Sequence, residues 1–281
     1  NNQVFLSGYF GRDIFKNDFA GMRWGNETGT FRWNHLFTKK LFANFSFIYT
    51  NYRYALTMPG GVNNSFEWTS NLRDMGVKGD FSYYFNPKNT IRFGATVVYH
   101  KLTPGIARGI GEQTVFTEVR VPDNHAVESG VYASNEQRLG DRFMVKYGLR
   151  FSLFQNMGPG TVFHYDSARV ATDSTVYAAG KFYNTYGGIE PRLGVLYEIN
   201  GKSSVKASYA RTFQYLQLAQ NSTVGTPLDI WFPSGPNVKP QVADQVALGY
   251  FRNLRRNTIE TSVEVYYKGM QHVIDFRDYA R

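Results

Sequence analysis

The sequence predicts an all-β fold, an antiparallel transmembrane β-barrel, and three observations carry the prediction. Its connections alternate in length: short polar turns such as NPKN and NGK join paired strands, while loops of roughly 12 to 30 residues separate one pair from the next, as membrane barrels require. Along the strands, apolar residues recur at every second position, the period at which side chains share a face. The composition combines 23 Phe, 20 Tyr and 4 Trp with 27 Gly, a mixture of strand formers and tight-turn formers. No stretch approaches the roughly 18 apolar residues of a spanning helix, but in a barrel only alternate residues meet lipid.

The elements follow in chain order. Val4–Phe10 reads as a first extended segment, and Lys16 to Glu27 as a polar stretch after it. Thr30–Phe37 and Leu41–Leu56 flank the turn Thr38–Lys40, and the second of these exceeds the roughly 9 to 11 residues that a tilted crossing needs, so it projects beyond the bilayer. Met75–Phe85 and Asn89–Leu102 flank Asn86, Pro87 and Lys88, and His125–Leu139 and Arg142–Phe154 flank Gly140 and Asp141. A long loop from Gln155 to Thr185 contains Gly158, Pro159 and Gly160, which resist regular structure. Ile189–Ile199 turns through Asn200, Gly201 and Lys202 into Ser203–Phe213, with Asn-Gly expected to supply positive backbone dihedrals. After a loop from Gln214 to Lys239, Val242–Phe251 turns at Arg255 to Asn257 into Thr258–Gly269.

About eleven strands result, by the strand and turn signals above. Leu41, Ala43, Phe45, Phe47 and Tyr49 share one face, as do Ile91, Phe93, Ala95, Val97 and Tyr99, and again Ile259, Thr261, Val263, Val265 and Tyr267. A soluble β-sandwich also has one apolar face. Strand length and the small residues among the polar-face charges favour the membrane. Short turns then face the periplasm, and the loops starting near Thr57, Thr103, Gln155 and Gln214 face outside.

The net charge of +9 is scattered among acids, with no basic run longer than Arg255–Arg256, so it reads as wall, lumen and turn charge and not as a nucleic-acid surface. The absence of cysteine excludes disulfides and thiolate sites. The opening residues NNQVFLSGYF lack the ordered segments of a signal peptide, as expected of a mature product or an internal fragment. No catalytic constellation emerges. His35, His100, His125, His164 and His272 are scattered without a partner motif, Asp166 and Asp173 fit no calcium-loop spacing, and no cofactor is expected.

The stretch Ile189–Leu218 carries Pro191, Arg192 and Gly194 on one strand and Ala207, Ser208, Tyr209, Arg211 and Phe213 on the next, and Lys239–Pro240 precede the following strand. In this order they resemble the barrel of TonB-dependent outer-membrane receptors, and the hairpin Thr30–Tyr49 looks like that of Bacteroidetes-type, SusC-like members. Gln241 and Gln245 depart from the acidic residues common there.

The resemblance implies a 22-stranded barrel in the outer membrane of a Gram-negative bacterium, of which residues 1–281 supply part. The plug domain and the TonB-contacting box are absent from this chain, so a longer polypeptide is expected, because open strand edges are untenable in hydrocarbon. It also implies energy-dependent uptake of a bulky nutrient: a glycan, a peptide or a metal chelate. The partners implied are outer-membrane lipid, the plug, TonB, a surface lipoprotein lid and a small or oligomeric nutrient ligand, with no nucleic acid.

Arg192 shares a face with Gly194 and Glu198 and should line the lumen beside a carboxylate. Arg150 and Lys206 need the same pairing or water, since unpaired buried charge is expensive. These four, Arg150, Arg192, Glu198 and Lys206, are the lumen- or plug-facing candidates. Arg211 lies on the opposite face, near the outer rim. Tyr215, Trp231 and Phe232 are the ligand-binding candidates, since loop aromatics stack on sugars or pack on peptides. Two alternatives stay open: a passive porin-like barrel, and a soluble β-rich carbohydrate-binding or structural protein.

Overall fold

A computed structural model describes residues 2–60, 65–111, 114–219, 230–255 and 258–274. Sixteen strands occur among the described residues: β1 (Asn2–Lys16), β2 (Gly21–Leu36), β3 (Leu41–Met58), β4 (Phe66–Asn86), β5 (Asn89–Gly109), β6 (Val119–Val121), β7 (Asn124–Leu139), β8 (Phe143–Met157), β9 (Gly160–Tyr165), β10 (Ala171–Tyr177), β11 (Phe182–Asn200), β12 (Ser203–Gln214), β13 (Leu216–Ala219), β14 (Ile230–Pro233), β15 (Gln241–Leu254) and β16 (Ile259–Gln271). Eleven of them form one antiparallel wall in the order β1-β2-β3-β4-β5-β7-β8-β11-β12-β15-β16, with β6 added beside β5. Strands β9 and β10 form a separate hairpin, as do β13 and β14.

Tight turns at one edge of the wall, the turn end, are braced by side chains that accept backbone N–H groups. Thr38 Oγ1 accepts the N–H of Leu41 at 3.0 Å, and Asn86 Oδ1 accepts that of Lys88 at 2.9 Å. Gly140, with φ of 67°, takes the left-handed position between β7 and β8. The expected positive dihedrals at Asn200–Gly201 are not found. Asn200 pairs with Ser203, so Gly201 and Lys202 are the central residues, and Asn200 Oδ1 accepts the Lys202 N–H at 2.9 Å. In the expected turn Arg255–Asn257, residues Arg256 and Asn257 lie outside the described residues.

At the opposite edge, the loop end, the strands outrun their apolar pattern. The polar stretch Lys16 to Glu27 is the end of β1, a four-residue turn and the start of β2. Asn17 Oδ1 closes that turn by accepting the N–H groups of Phe19 and Ala20 at 2.9 and 2.7 Å. The loop expected near Thr57 begins after Met58 and ends where β4 starts at Phe66, well before Met75. The loop expected near Thr103 starts only after Gly109, and the Gln155 loop holds the β9–β10 hairpin. The ladder continues because it needs only backbone groups, whereas alternation stops where neither face must be apolar.

Register shows which side chains share a face. Phe47 opposes Val77, Val77 opposes Val97, Val131 opposes Phe151 and Phe151 opposes Ile189. These apolar side chains are about half exposed, at 45 to 59%. An apolar surface this broad on a sheet face marks contact with something other than water.

Candidate functional site

The polar face carries the alternate residues, and its charges are organised in rows across the strands. Nearest the turn end, Arg138 of β7 lies 4.0 Å from Glu198 of β11, and Lys206 Nζ of β12 sits 4.3 Å above the Phe251 ring of β15. Midway, Glu136 lies 3.2 Å from Arg92 and 4.0 Å from Lys146. There the Tyr132 hydroxyl donates to Asp80 at 2.6 Å, and Lys78 lies 2.9 Å from the same carboxylate.

The upper row crosses five strands. His100 Nδ1 lies 2.8 Å from Asp74 and its Nε2 3.9 Å from Glu128; Arg150 lies 3.8 Å from Glu128 and 3.5 Å from Glu190; Arg192 closes the row 3.4 Å from Glu190. From Glu128 through Arg150 and Glu190 to Arg192 the sign alternates, which keeps each of these charges beside an opposite one. Gly130 gives Arg150 room in the row. A Cβ there would sit 2.6 Å from the Arg150 guanidinium, so a side chain at this position would push that group aside.

Above this row the segment after β12 folds back onto the polar face. The Tyr215 ring stacks on Phe154 at 4.9 Å and 4°, and its hydroxyl shares a 2.7 Å hydrogen bond with Ser152. Tyr215 is 3% exposed and Phe154 fully buried; burial pushes the Tyr215 phenol up. Phe213 completes the cluster and lies over Gly188, where a Cβ would meet its ring at 2.4 Å.

Polar groups fix the rest of the segment. Asn156 Nδ2 donates to the Ser234 carbonyl at 2.9 Å, and the Tyr186 hydroxyl to that of Gly235 at 2.9 Å. Gln217, fully buried, donates to Ser234 Oγ at 3.1 Å and to the Lys239 carbonyl at 2.9 Å. Strand β14 packs on β5 and β7, so the β13–β14 hairpin crosses over the polar face.

The residues singled out in the sequence are thus separated by height. Arg150 and Arg192 meet in the upper row, whereas Glu198 and Lys206 lie near the turn end and touch neither. Tyr215 is an anchor inside the aromatic cluster. Trp231 pairs with Leu218 and Phe232 with Gln217, so the two aromatics project from opposite sides of their hairpin and make no shared platform. Asp74, Glu128, Glu190, Ser152 and Phe154 went unremarked in the sequence, although each sits at an alternate strand position. Register, which no spacing reveals, is what joins them.

On the apolar face, Arg211 pairs with Asp244 through two hydrogen bonds of 2.8 and 3.0 Å, and the Tyr209 hydroxyl donates to the same carboxylate at 2.6 Å. The trio lies toward the loop ends of β12 and β15. Among the described residues no cluster of three or more metal-ligating side chains occurs.

Comparison with known proteins gives this architecture a family. The family described as "TonB dependent receptor-like, beta-barrel" matches residues 1–280. Among solved structures, the ferric-catecholate import receptor Fiu from E. coli K12 matches with a TM-score of 0.60 and 13% identity, over 95% of this chain and 44% of that one. The ferric preacinetobactin receptor BauA from Acinetobacter baumannii matches with a TM-score of 0.63 and 14% identity, over 95% and 44%. The hemophore receptor HasR from Serratia marcescens, in complex with its hemophore HasA and heme, matches with a TM-score of 0.64 and 12% identity, over 96% and 43%. At these identities the likeness is one of fold, and the chain spans less than half the length of each structure. No curated protein matches it. The apolar face is therefore the lipid face, in the outer membrane of a Gram-negative bacterium. The chain belongs to the TonB-dependent receptor-like β-barrel family.

Proposed function

We propose that this wall lines the conduit of a receptor that carries a bulky nutrient, foremost a metal chelate, across the outer membrane with energy delivered through TonB. The observation that carries the reading is the lumenal row from Asp74 to Arg192 beneath an infolded loop segment. A passive pore needs an open bore, whereas a segment stapled onto the lumenal wall suits a receptor that holds its cargo before releasing it. The polar face is then the lumen, the short turns are periplasmic and the loops extracellular. Arg150 and Arg192 present charge to the plug or the cargo, while Glu198 and Lys206 line the periplasmic exit. Trp231 and Phe232 offer cargo contacts on the two sides of a hairpin that Tyr215 anchors. The solved structures described above are named for ferric-catecholate, ferric preacinetobactin and hemophore recognition, which favours metal chelates.

A second reading, a SusC-like receptor with glycan or peptide cargo and a lipoprotein lid, rests on the hairpin Thr30–Tyr49. Uptake decides between them. Cells lacking the gene should lose accumulation of a labelled ferric chelate, and de-energising the inner membrane should have the same effect. Retained chelate uptake beside lost growth on an oligosaccharide would establish the second reading, and uptake indifferent to energy would leave a passive pore.

A further inference from the structure

On the lipid face, polarity changes at one level across neighbouring strands. Gly29, Tyr49, Met75 and Tyr99 stand in register, and the next outward-pointing row toward the loop end is Glu27, Asn51, Arg73 and Lys101. The row beyond it contains Arg12, Gly25, Arg53 and Asn71. At this edge a cleft of about 440 Å³ opens, within the size range of small-molecule sites. Arg12, Arg23, Arg53, Glu27 and Asn71 wall it, and Gly25 and Ala55 keep its floor low.

Three guanidinium groups thus face one carboxylate inside the cleft. Glu27 is held by Arg53 and by Asn51, and Arg23 reaches outside the cleft to Glu67. Beside them, Arg73 has a buried Nε without an acceptor. Arg53 stands four positions beyond Tyr49, about 13 Å along the strand and, at a tilt near 45°, roughly 10 Å above the aromatic level. That height is the headgroup layer. The corresponding charge on the other side of the wall, Arg211, is saturated by Asp244 and Tyr209, so an excess of cations belongs to the β1–β4 side.

We infer that this cleft binds a phosphate of an outer-leaflet lipid headgroup. Guanidinium groups match phosphate oxygens in paired hydrogen bonds, and basic pockets at headgroup height collect anionic lipids. The cleft opens on the lipid face, which commits it to a lipid and not to cargo in the lumen. The inference rests on the membrane placement of the wall and is independent of what the receptor carries.

The test uses the intact receptor in detergent, with diphosphorylated lipid A as the probe and dephosphorylated lipid A and inorganic phosphate as comparisons. Diphosphorylated lipid A should raise the melting temperature. Arg53→Gln should weaken its binding about fivefold, and Arg12→Gln with Arg53→Gln about 25-fold, on the scale of one cation near a charged surface. Glu27→Gln, which removes the opposing carboxylate, should tighten it and keeps the question answerable if the double variant does not insert. Equal binding of the dephosphorylated lipid, equal protection by inorganic phosphate, or indifference to all three variants would overturn the proposal. Nutrient uptake assayed on the same variants separates this outcome from failure of the transport reading: lost cargo specificity with intact lipid binding counts only against the latter.

Discussion

Phe151 and Phe154 stand three residues apart on β8 and face opposite solvents. Phe151 points to the lipid face, 45% exposed, between Val131 and Ile189; Phe154 points to the lumen and is fully buried under Tyr215. On one face the bilayer completes the packing, so residues need only be apolar. On the other the protein must supply every partner, so Tyr215, Ser152 and Gly188 are each fitted to a neighbour. Specific packing therefore concentrates on the lumen, the reverse of a soluble sandwich whose core is its apolar face.

The largest effect should come from breaking this contrast directly. Phe154→Ala should destabilise the receptor by about 4 kcal/mol, because it leaves a cavity beneath Tyr215, whereas Phe151→Ala should cost only the transfer term, about 2 kcal/mol, since lipid tails fill the space. Urea titration of the receptor in vesicles measures both, and equal losses would refute the distinction. A somewhat smaller loss tests the charge row. Glu190, whose side chain is 6% exposed, serves Arg150 and Arg192, and Glu190→Ala should cost roughly 2 kcal/mol by leaving Arg150 only its 3.8 Å contact with Glu128. The double variant Glu190→Ala with Arg150→Met should recover part of it, and no recovery would mean that the pairing is incidental.

The smallest effect concerns the loop end. Burial pushes the Asp123 carboxyl up, but Arg120 and Lys101 outweigh burial and hold it below the usual carboxylate range. Its folded value is thus depressed. The contribution is present above the ordinary carboxyl value near 4 and is lost as pH falls through the depressed one. The partners are partly exposed, so the effect stays below about 1 kcal/mol. Asp123→Asn should flatten that part of the pH profile, and an unchanged profile would remove Asp123 from the account.

Legibility in the sequence follows the same division between faces. Strand identity was readable near the turn end, where Leu41 to Tyr49 alternate because one face meets lipid. It was lost above, where Arg23 and Glu27 of β2 point outward into headgroups and water and the alternation has no cause. The need of Arg150 and Arg192 for a carboxylate could be argued from burial alone. That Glu190 is their shared partner could not, since it depends on β8 and β11 pairing Arg150 with Glu190. Nor could the infolded segment be read, because its aromatics look alike whether they face cargo or, like Tyr215, a stack beneath them.

Strands β4 and β5 run for 21 residues each. At about 3.4 Å per residue and a tilt near 45°, they rise roughly 50 Å, about twice the apolar band. The mouth of the wall is thus a parapet, carried clear of the phosphorylated lipid surface and into whatever sugar coat surrounds the cell. A large molecule approaching from outside therefore touches this rim well before it reaches the charged rows of the lower wall.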